Sequence, residues 1–149
     1  MSAIKIERVD VEQVVDLRLA VLRAGLPREA AKFPGDDDPQ TVHLAAKEGG
    51  NVIACATILV NEWNGQRACQ LRGMAVDPAY QRRGVGRQIL TEVDRVAAEK
   101  GVRILWANAR KPAAEFYRKY GWEIVSEEFE IPTAGPHFKM VRIPRQAGG

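Results

Sequence analysis

A chain of 149 residues, 46% of them apolar, is long enough to bury one core and too short to demand two domains. Its 22 Lys and Arg against 19 Asp and Glu leave a net charge of +3, an ordinary soluble balance that argues against disorder, collagen and coiled coil. No apolar run approaches the roughly 18–20 residues of a membrane span, and the basic side chains are scattered, not striped as on a nucleic-acid interface, except at Arg82, Arg83 and Arg87.

In chain order, Ile4–Val9 alternates apolar and polar residues and predicts a half-buried strand. Asp10 offers an N-cap with Gln13 three residues on, a capping-box spacing, and Val11, Val14, Val15, Arg18 and Leu22 carry a helical period to about Arg23. Gly25 ends that helix and Pro27 can start a short second one. Phe33, Pro34, Gly35, Asp36, Asp37, Asp38 and Pro39 form a loop. Residues 42–47 and 52–60 read as strands joined by the Gly49-Gly50-Asn51 turn. Asn64-Gly65 is a two-residue hairpin signal, because both turn positions need positive φ. The returning strand runs over 68–76 and stops at Asp77-Pro78. A helix from the Gly84-Val85-Gly86 turn to about Lys100 puts Val85, Ile89, Leu90, Val93, Val96 and Ala97 on one face, and Gly101 caps it. A strand over 103–109 follows, then a short helix from Pro112 that Gly121 closes, then strands over 122–131 and 138–143 around a Pro/Gly loop.

The order β-α-α-β-β-β-α-β-α-β-β, with one hairpin and one strand-helix-strand crossover, implies an α/β (α+β) fold on a mixed sheet. One domain over 1–144 and a loose tail over 145–149 are expected. No secretory signal follows the N-terminal charges, so a cytoplasmic protein is expected, with no membrane and no nucleic-acid partner. Centring the hairpin on Asn64-Gly65 sets Cys55 opposite Met74 and Cys69 opposite Val60, so no disulfide between the cysteines is expected. With no CxxC, and with His43 and His137 far apart in sequence, no metal site is expected.

The chemistry concentrates in residues 71–87. A strand ends, a basic turn follows and a helix opens at Gly84-Val85-Gly86. A helix start carries unpaired N–H groups and partial positive charge, glycines let a ligand approach the backbone, and three arginines stand close by. Together these describe a pyrophosphate cradle. A Walker loop is absent, and Gly84-Val85-Gly86 lacks the third glycine of a dinucleotide fingerprint.

Gln81-Arg82-Arg83-Gly84-Val85-Gly86, preceded by Met74-Ala75-Val76-Asp77-Pro78, resembles the Q/R-x-x-G-x-G/A motif of the GNAT superfamily of acyl-CoA-dependent N-acyltransferases. Asn108 and the later Ala113-Ala114-Glu115-Phe116-Tyr117-Arg118-Lys119-Tyr120-Gly121-Trp122 resemble a second region of that family. The resemblance implies a GNAT-like mixed sheet whose two central parallel strands splay to admit the pantetheine arm of acetyl-CoA, the cosubstrate, with no metal. It implies that the amides of Arg82, Arg83, Gly84, Val85, Gly86 and Arg87, beside Gln81, hold the pyrophosphate. Backbone groups along Met74, Ala75 and Val76 pair with the arm, and an N–H near Met74 polarises the thioester carbonyl. Asn108 lines the cleft mouth, or simply ends a strand. Tyr117 protonates the departing thiolate as the catalytic acid and contacts the cofactor, or packs the short helix as a core tyrosine. Phe116 reads as core.

The family often places a Glu before the motif; Leu71-Arg72-Gly73-Met74 has none. Glu62, His43, Glu130, His137 or a water chain remain as bases for the amine. Arg72 either binds a substrate carboxylate or faces solvent. Asp36, Asp37 and Asp38 either attract a cationic amine or form an exposed acidic loop. His137 lines the acceptor site on this reading. The expected activity is acetyl transfer to a primary amine of a small molecule or peptide, by direct attack in a ternary complex. The alternative is an acyl-CoA-binding or sensing module without turnover. Two-fold association through the terminal strands is compatible with either.

Overall fold

A computed structural model describes residues 3–143; the expected loose tail, 145–149, lies outside the described residues. Eight strands form one sheet: β1 (Ile4–Val9), β2 (Val42–Glu48), β3 (Asn51–Trp63), β4 (Gln66–Val76), β5 (Ile104–Arg110), β6 (Glu123–Ile124), β7 (Phe129–Ile131) and β8 (Gly135–Arg142). The spatial order is β1-β2-β3-β4-β5-β8-β6, with β7 also on β8. Every pair is antiparallel except β4–β5. Helix α1 (Glu12–Leu22) lies on one face, and α2 (Val85–Glu99) on the other; α3 (Ala114–Lys119) follows β5.

The period that predicts α2 is the face it buries. Val85, Ile89, Leu90, Val93, Val96 and Ala97 pack with Leu44, Ala54, Ala56, Ile58, Leu71 and Leu105 in the main core, each large side chain contributing about 1.5–3 kcal/mol by leaving water. Gly101 sits at φ 68 after the helix, and the N–H of Val102 returns to the carbonyl of Ala97, so the last turn's carbonyls are satisfied. On the opposite face Val14 of α1 packs on Ala45, Cys55 and Ala75. No described helix is long and apolar enough to cross a membrane.

Four local expectations need correction. Asp10 does not cap α1 through its side chain; its carbonyl accepts the N–H of Gln13, and Val11 at the helix start is already helical. The second helix is a single 3₁₀ turn, Arg28–Ala31, because Phe33-Pro34 forbids extension. The strand expected over 122–131 is broken into β6 and β7: the Ser126 hydroxyl accepts the N–H of Lys139 at 2.8 Å, where a strand carbonyl would otherwise stand.

The β3–β4 register also departs from expectation. The hairpin pairs Trp63 with Gln66 and Val60 with Cys69, as Asn64-Gly65 dictates. Past Thr57↔Arg72 the register slips, and Cys55 faces Ala75, not Met74. Gly73 at φ 61 marks a bulge that gives β4 one extra residue. Cys55 and Cys69 are both buried and free, and burial pushes the Cys55 thiol up to about 12.

Candidate active site

The parallel pairing of β4 and β5 covers only Ala68↔Ile104, Cys69↔Leu105 and Gln70↔Trp106. Beyond Gln70 each strand turns to its other neighbour: β4 continues on β3 and β5 continues on β8. Their facing edges therefore part into a cleft, and the Gly73 bulge falls inside it. A cavity of about 300 Å³ opens there. Met74, Ala107, Ala109 and Tyr117 line it on the α2 side of the sheet; Arg72, Asn108 and Arg110 line it on the α1 side, because strand residues alternate between faces.

The turn into α2 has an uncommon backbone. Arg82 (φ 65) and Gly84 (φ 79) are both left-handed, and among the described residues no side chain caps the helix. The first-turn N–H groups therefore face outward unclaimed by a cap. Gln81, Arg82, Arg83, Gly84 and Arg87 are exposed, Val85 is buried in the core, and the Arg83 guanidinium lies over the Tyr80 ring at 5.2 Å. The two glycines serve different ends. A Cβ on Gly84 would meet nothing within 4 Å, so its role is conformational. A Cβ on Gly86 would stand 2.8 Å from Phe116 Cζ. Gly86 thus seats α3 against α2, a packing role beside the one expected of it toward a ligand. Gly86→Ala is expected to destabilise the ligand-free protein by about 1–3 kcal/mol through overpacking, measured by urea unfolding; an unchanged midpoint would show that Phe116 yields freely.

Tyr117 is held by its neighbours. It meets Phe116 and Trp122 with ring centroids at 5.4 and 5.3 Å, and its hydroxyl reaches Met74 Sδ at 3.4 Å. Burial pushes the phenol well above its ordinary pKa. Of the four base candidates only His137 lines the cavity; Glu62 and Glu130 are exposed away from it. The His137 Nδ1–H donates to the carbonyl of Gly135 at 2.7 Å, and among the described residues no side chain or backbone group pairs with Nε2. Asn108 accepts from Lys139 Nζ at 3.1 Å. Among the described residues no carboxylate lines the cavity.

The acidic loop divides. Asp37 and Asp38 are exposed, but Asp36 is drawn inward as the anchor of a cluster that the sequence did not reveal. Arg18, fully buried on α1, grips it twice, Nη1 to Oδ2 at 2.6 Å and Nη2 to Oδ1 at 3.0 Å, and also donates to the hydroxyl of Thr57 and the carbonyl of Ala31. The Phe33 N–H and Arg72 Nη2 also donate to the carboxylate. His43 joins through Thr57 and through the backbone carbonyl of Asp36. Burial alone would raise the Asp36 carboxyl, but the hydrogen bonds from Arg18, Phe33 and Arg72 hold it below the usual carboxylate range. This latch fixes Phe33 and Pro34 as one wall of the cavity. It also engages Arg72, which donates to Pro34 O as well. The one available signal was an arginine at an inward position of the α1 period.

The Acetyltransferase (GNAT) family model matches residues 11–122. Among curated proteins, the uncharacterized N-acetyltransferase YitI of Bacillus subtilis is 29% identical over 148 residues, spanning 95% of this chain and 97% of that protein. The fold is shared with an aminoglycoside 6'-N-acetyltransferase complexed with coenzyme A (TM-score 0.75, 15% identity, 96% of this chain and 99% of that one). It is shared also with a GNAT acetyltransferase from Elizabethkingia anophelis with acetyl-CoA bound (TM-score 0.69, 18% identity, 95% and 98%). A motif match over most of the chain, on a sheet that parts at its centre, leads to one conclusion: the chain belongs to the GNAT family and is an acyltransferase.

Proposed function

We propose that the protein transfers an acetyl group from acetyl-CoA to a primary amine by direct attack in a ternary complex, within one domain spanning residues 1–144. The observation that carries this reading is the parting of β4 and β5 after Gln70↔Trp106, beside an uncapped start of α2. The gap fits a pantetheine chain lying as an added strand along Met74, Ala75 and Val76. The α2 start fits a diphosphate on the amides of residues 82–87, with Gln81 and the arginines around it. The free acceptor nitrogen attacks the thioester carbon, forming C–N and breaking C–S, and the proton it then sheds neutralises the departing thiolate. A backbone N–H at the Gly73–Met74 bulge steadies the charge that develops on the carbonyl oxygen.

The amine must first lose a proton, since an alkyl ammonium titrates near 10. His137, which lines the cavity with Nδ1 already engaged by Gly135, is the base in this reading through Nε2, directly or through water. Tyr117 donates a hydrogen bond to the departing sulfur. Its raised pKa keeps the phenol protonated across the neutral range, which makes it a standing donor to a thiolate. Asn108 and Arg72 lie on the α1 side and shape the acceptor entrance.

Calorimetry with acetyl-CoA tests the reading. Saturation at about 100 times Kd should stabilise the fold by about 2.7 kcal/mol, and incubation with an amine panel should release free thiol. Absence of binding at millimolar acetyl-CoA defeats the proposal.

A further inference from the structure

The α1 side of the cavity holds an uncompensated pair of cations. Arg23 follows the last turn of α1, and Arg110 ends β5. Both line the cavity, and both donate to one acceptor, the carbonyl of Leu22, with Arg23 Nη1 at 3.1 Å. Their guanidinium groups are thereby brought together. Among the described residues neither has a carboxylate within salt-bridge distance, and the cavity lining contains no Asp or Glu. Arg72, the third arginine, differs: it already pairs with the Asp36 carboxylate, at 3.0 Å, which it shares with Arg18. Burial lowers the pKa of Arg23, and the nearby charges of Arg110 and Arg18 lower it further; burial also lowers that of Arg110. The C-terminus of α1 favours both cations through the Leu22 carbonyl, but one carbonyl dipole does not neutralise two full charges. Two like charges, partly dehydrated and facing a cavity, are stabilised when an anion arrives.

The phosphates of coenzyme A do not fit as that anion. Strand alternation puts Arg110 on the α1 side with Trp106 and Asn108, whereas Leu105, Ala107 and Ala109 enter the core under α2. The proposed pyrophosphate cradle belongs to the α2 start, on the other face. Phe33 and Leu22 give the cationic end apolar walls, and the Arg23 guanidinium lies 5.2 Å from the Phe33 ring centroid.

We infer that Arg23 and Arg110 form a carboxylate receptor, and that the acceptor is a small amine bearing a carboxylate, of the amino-acid type. The inference rests on the acetyl-transfer reading for the word acceptor, but not for the receptor itself. A planar guanidinium pair suits a carboxylate. The attacking amine lies towards Met74 and Tyr117, while the carboxylate points to the end of α1.

The test is binding, so it does not depend on turnover. The protein saturated with coenzyme A is titrated calorimetrically with the common free amino acids, β-alanine and γ-aminobutyrate, each beside its carboxamide, and with O-phosphoethanolamine. At least one carboxylate-bearing amine should bind at least 10-fold more tightly than its carboxamide. Arg110→Leu and Arg23→Leu should each weaken that binding at least 10-fold, and Arg110→Lys should weaken it less. Coenzyme A affinity should stay within about twofold in all three, which also certifies that they fold. The inference is overturned if no carboxylate binds, if the carboxamides bind as well, or if phosphoethanolamine is preferred. It is equally overturned if neither leucine variant changes the affinity, or if coenzyme A affinity falls in step. Arginine-dependent carboxylate binding without free-thiol release would leave the receptor standing and defeat the acetyl-transfer reading alone.

Discussion

Arg18→Leu is expected to lower the unfolding free energy by about 3–5 kcal/mol, because it strands the Asp36 carboxylate with its main partner gone. The size follows from position. Arg18 has no solvent exposure and makes its hydrogen bonds to Asp36, Thr57 and Ala31 inside the fold. Such a loss is a large fraction of the about 5–15 kcal/mol that holds a domain together. Urea unfolding at pH 7 measures it. A second variant separates the charge from the packing: Arg18→Leu with Asp36→Leu should be less damaged than Arg18→Leu alone, since removing both charges leaves none uncompensated. The pH dependence has a definite sign. Asp36 titrates below its ordinary value of 3.8 in the folded protein. Its contribution is therefore complete above that value and fades as pH falls through the lower, folded value. The gap between wild type and Arg18→Leu should narrow below pH 3.8. A loss under 1 kcal/mol at pH 7 would mean that the Asp36 loop relaxes into water at little cost.

Tyr117→Phe is expected to lower kcat by about 10–100-fold, leaving the acetyl-CoA dissociation constant within about twofold. A hydrogen bond to a charged group is worth about 1.5–3 kcal/mol, which spans about that range in rate. The phenylalanine keeps the aromatic contacts with Phe116 and Trp122, so the fold should hold and the split between rate and binding should be clean. The buried phenol's upward shift adds a second expectation: Tyr117 should cause no alkaline decline in the rate profile below the ordinary tyrosine value of 10.0. An unchanged kcat on an authentic acceptor would reduce Tyr117 to a packing residue.

What the sequence made legible was local. Ile4–Val9 was read from alternation, the α2 face from its period, and the pairing of Val60 with Cys69 from a two-residue turn. Each depends on neighbours a few residues apart. The register of Cys55 escapes the turn arithmetic because Gly73, a glycine inside a strand, adds one residue to β4; such a glycine is itself a bulge signal. Asp36 failed because its partners, Arg18 and Arg72, lie 18 and 36 residues away in sequence, and no periodicity reports contacts at that range. The motif around Gly84 was readable, yet the reason for Gly86 was not: it is set by Phe116, thirty positions on in a separate helix. Arg23 and Arg110 carry no motif at all. They become a pair only when the end of α1 is laid across the end of β5, which is a property of the tertiary fold.

The narrow seam between β4 and β5 has a mechanical consequence. Among the described residues three consecutive parallel pairs, Ala68↔Ile104 to Gln70↔Trp106, carry all the sheet pairing that joins the block of β1 to β4 to the block of β5 to β8. The two blocks resemble the blades of shears riveted at one end. A chain lying in the open end would bridge them through backbone bonds on both sides, so that slow amide exchange spreads across the rivet and the blades melt together instead of in turn.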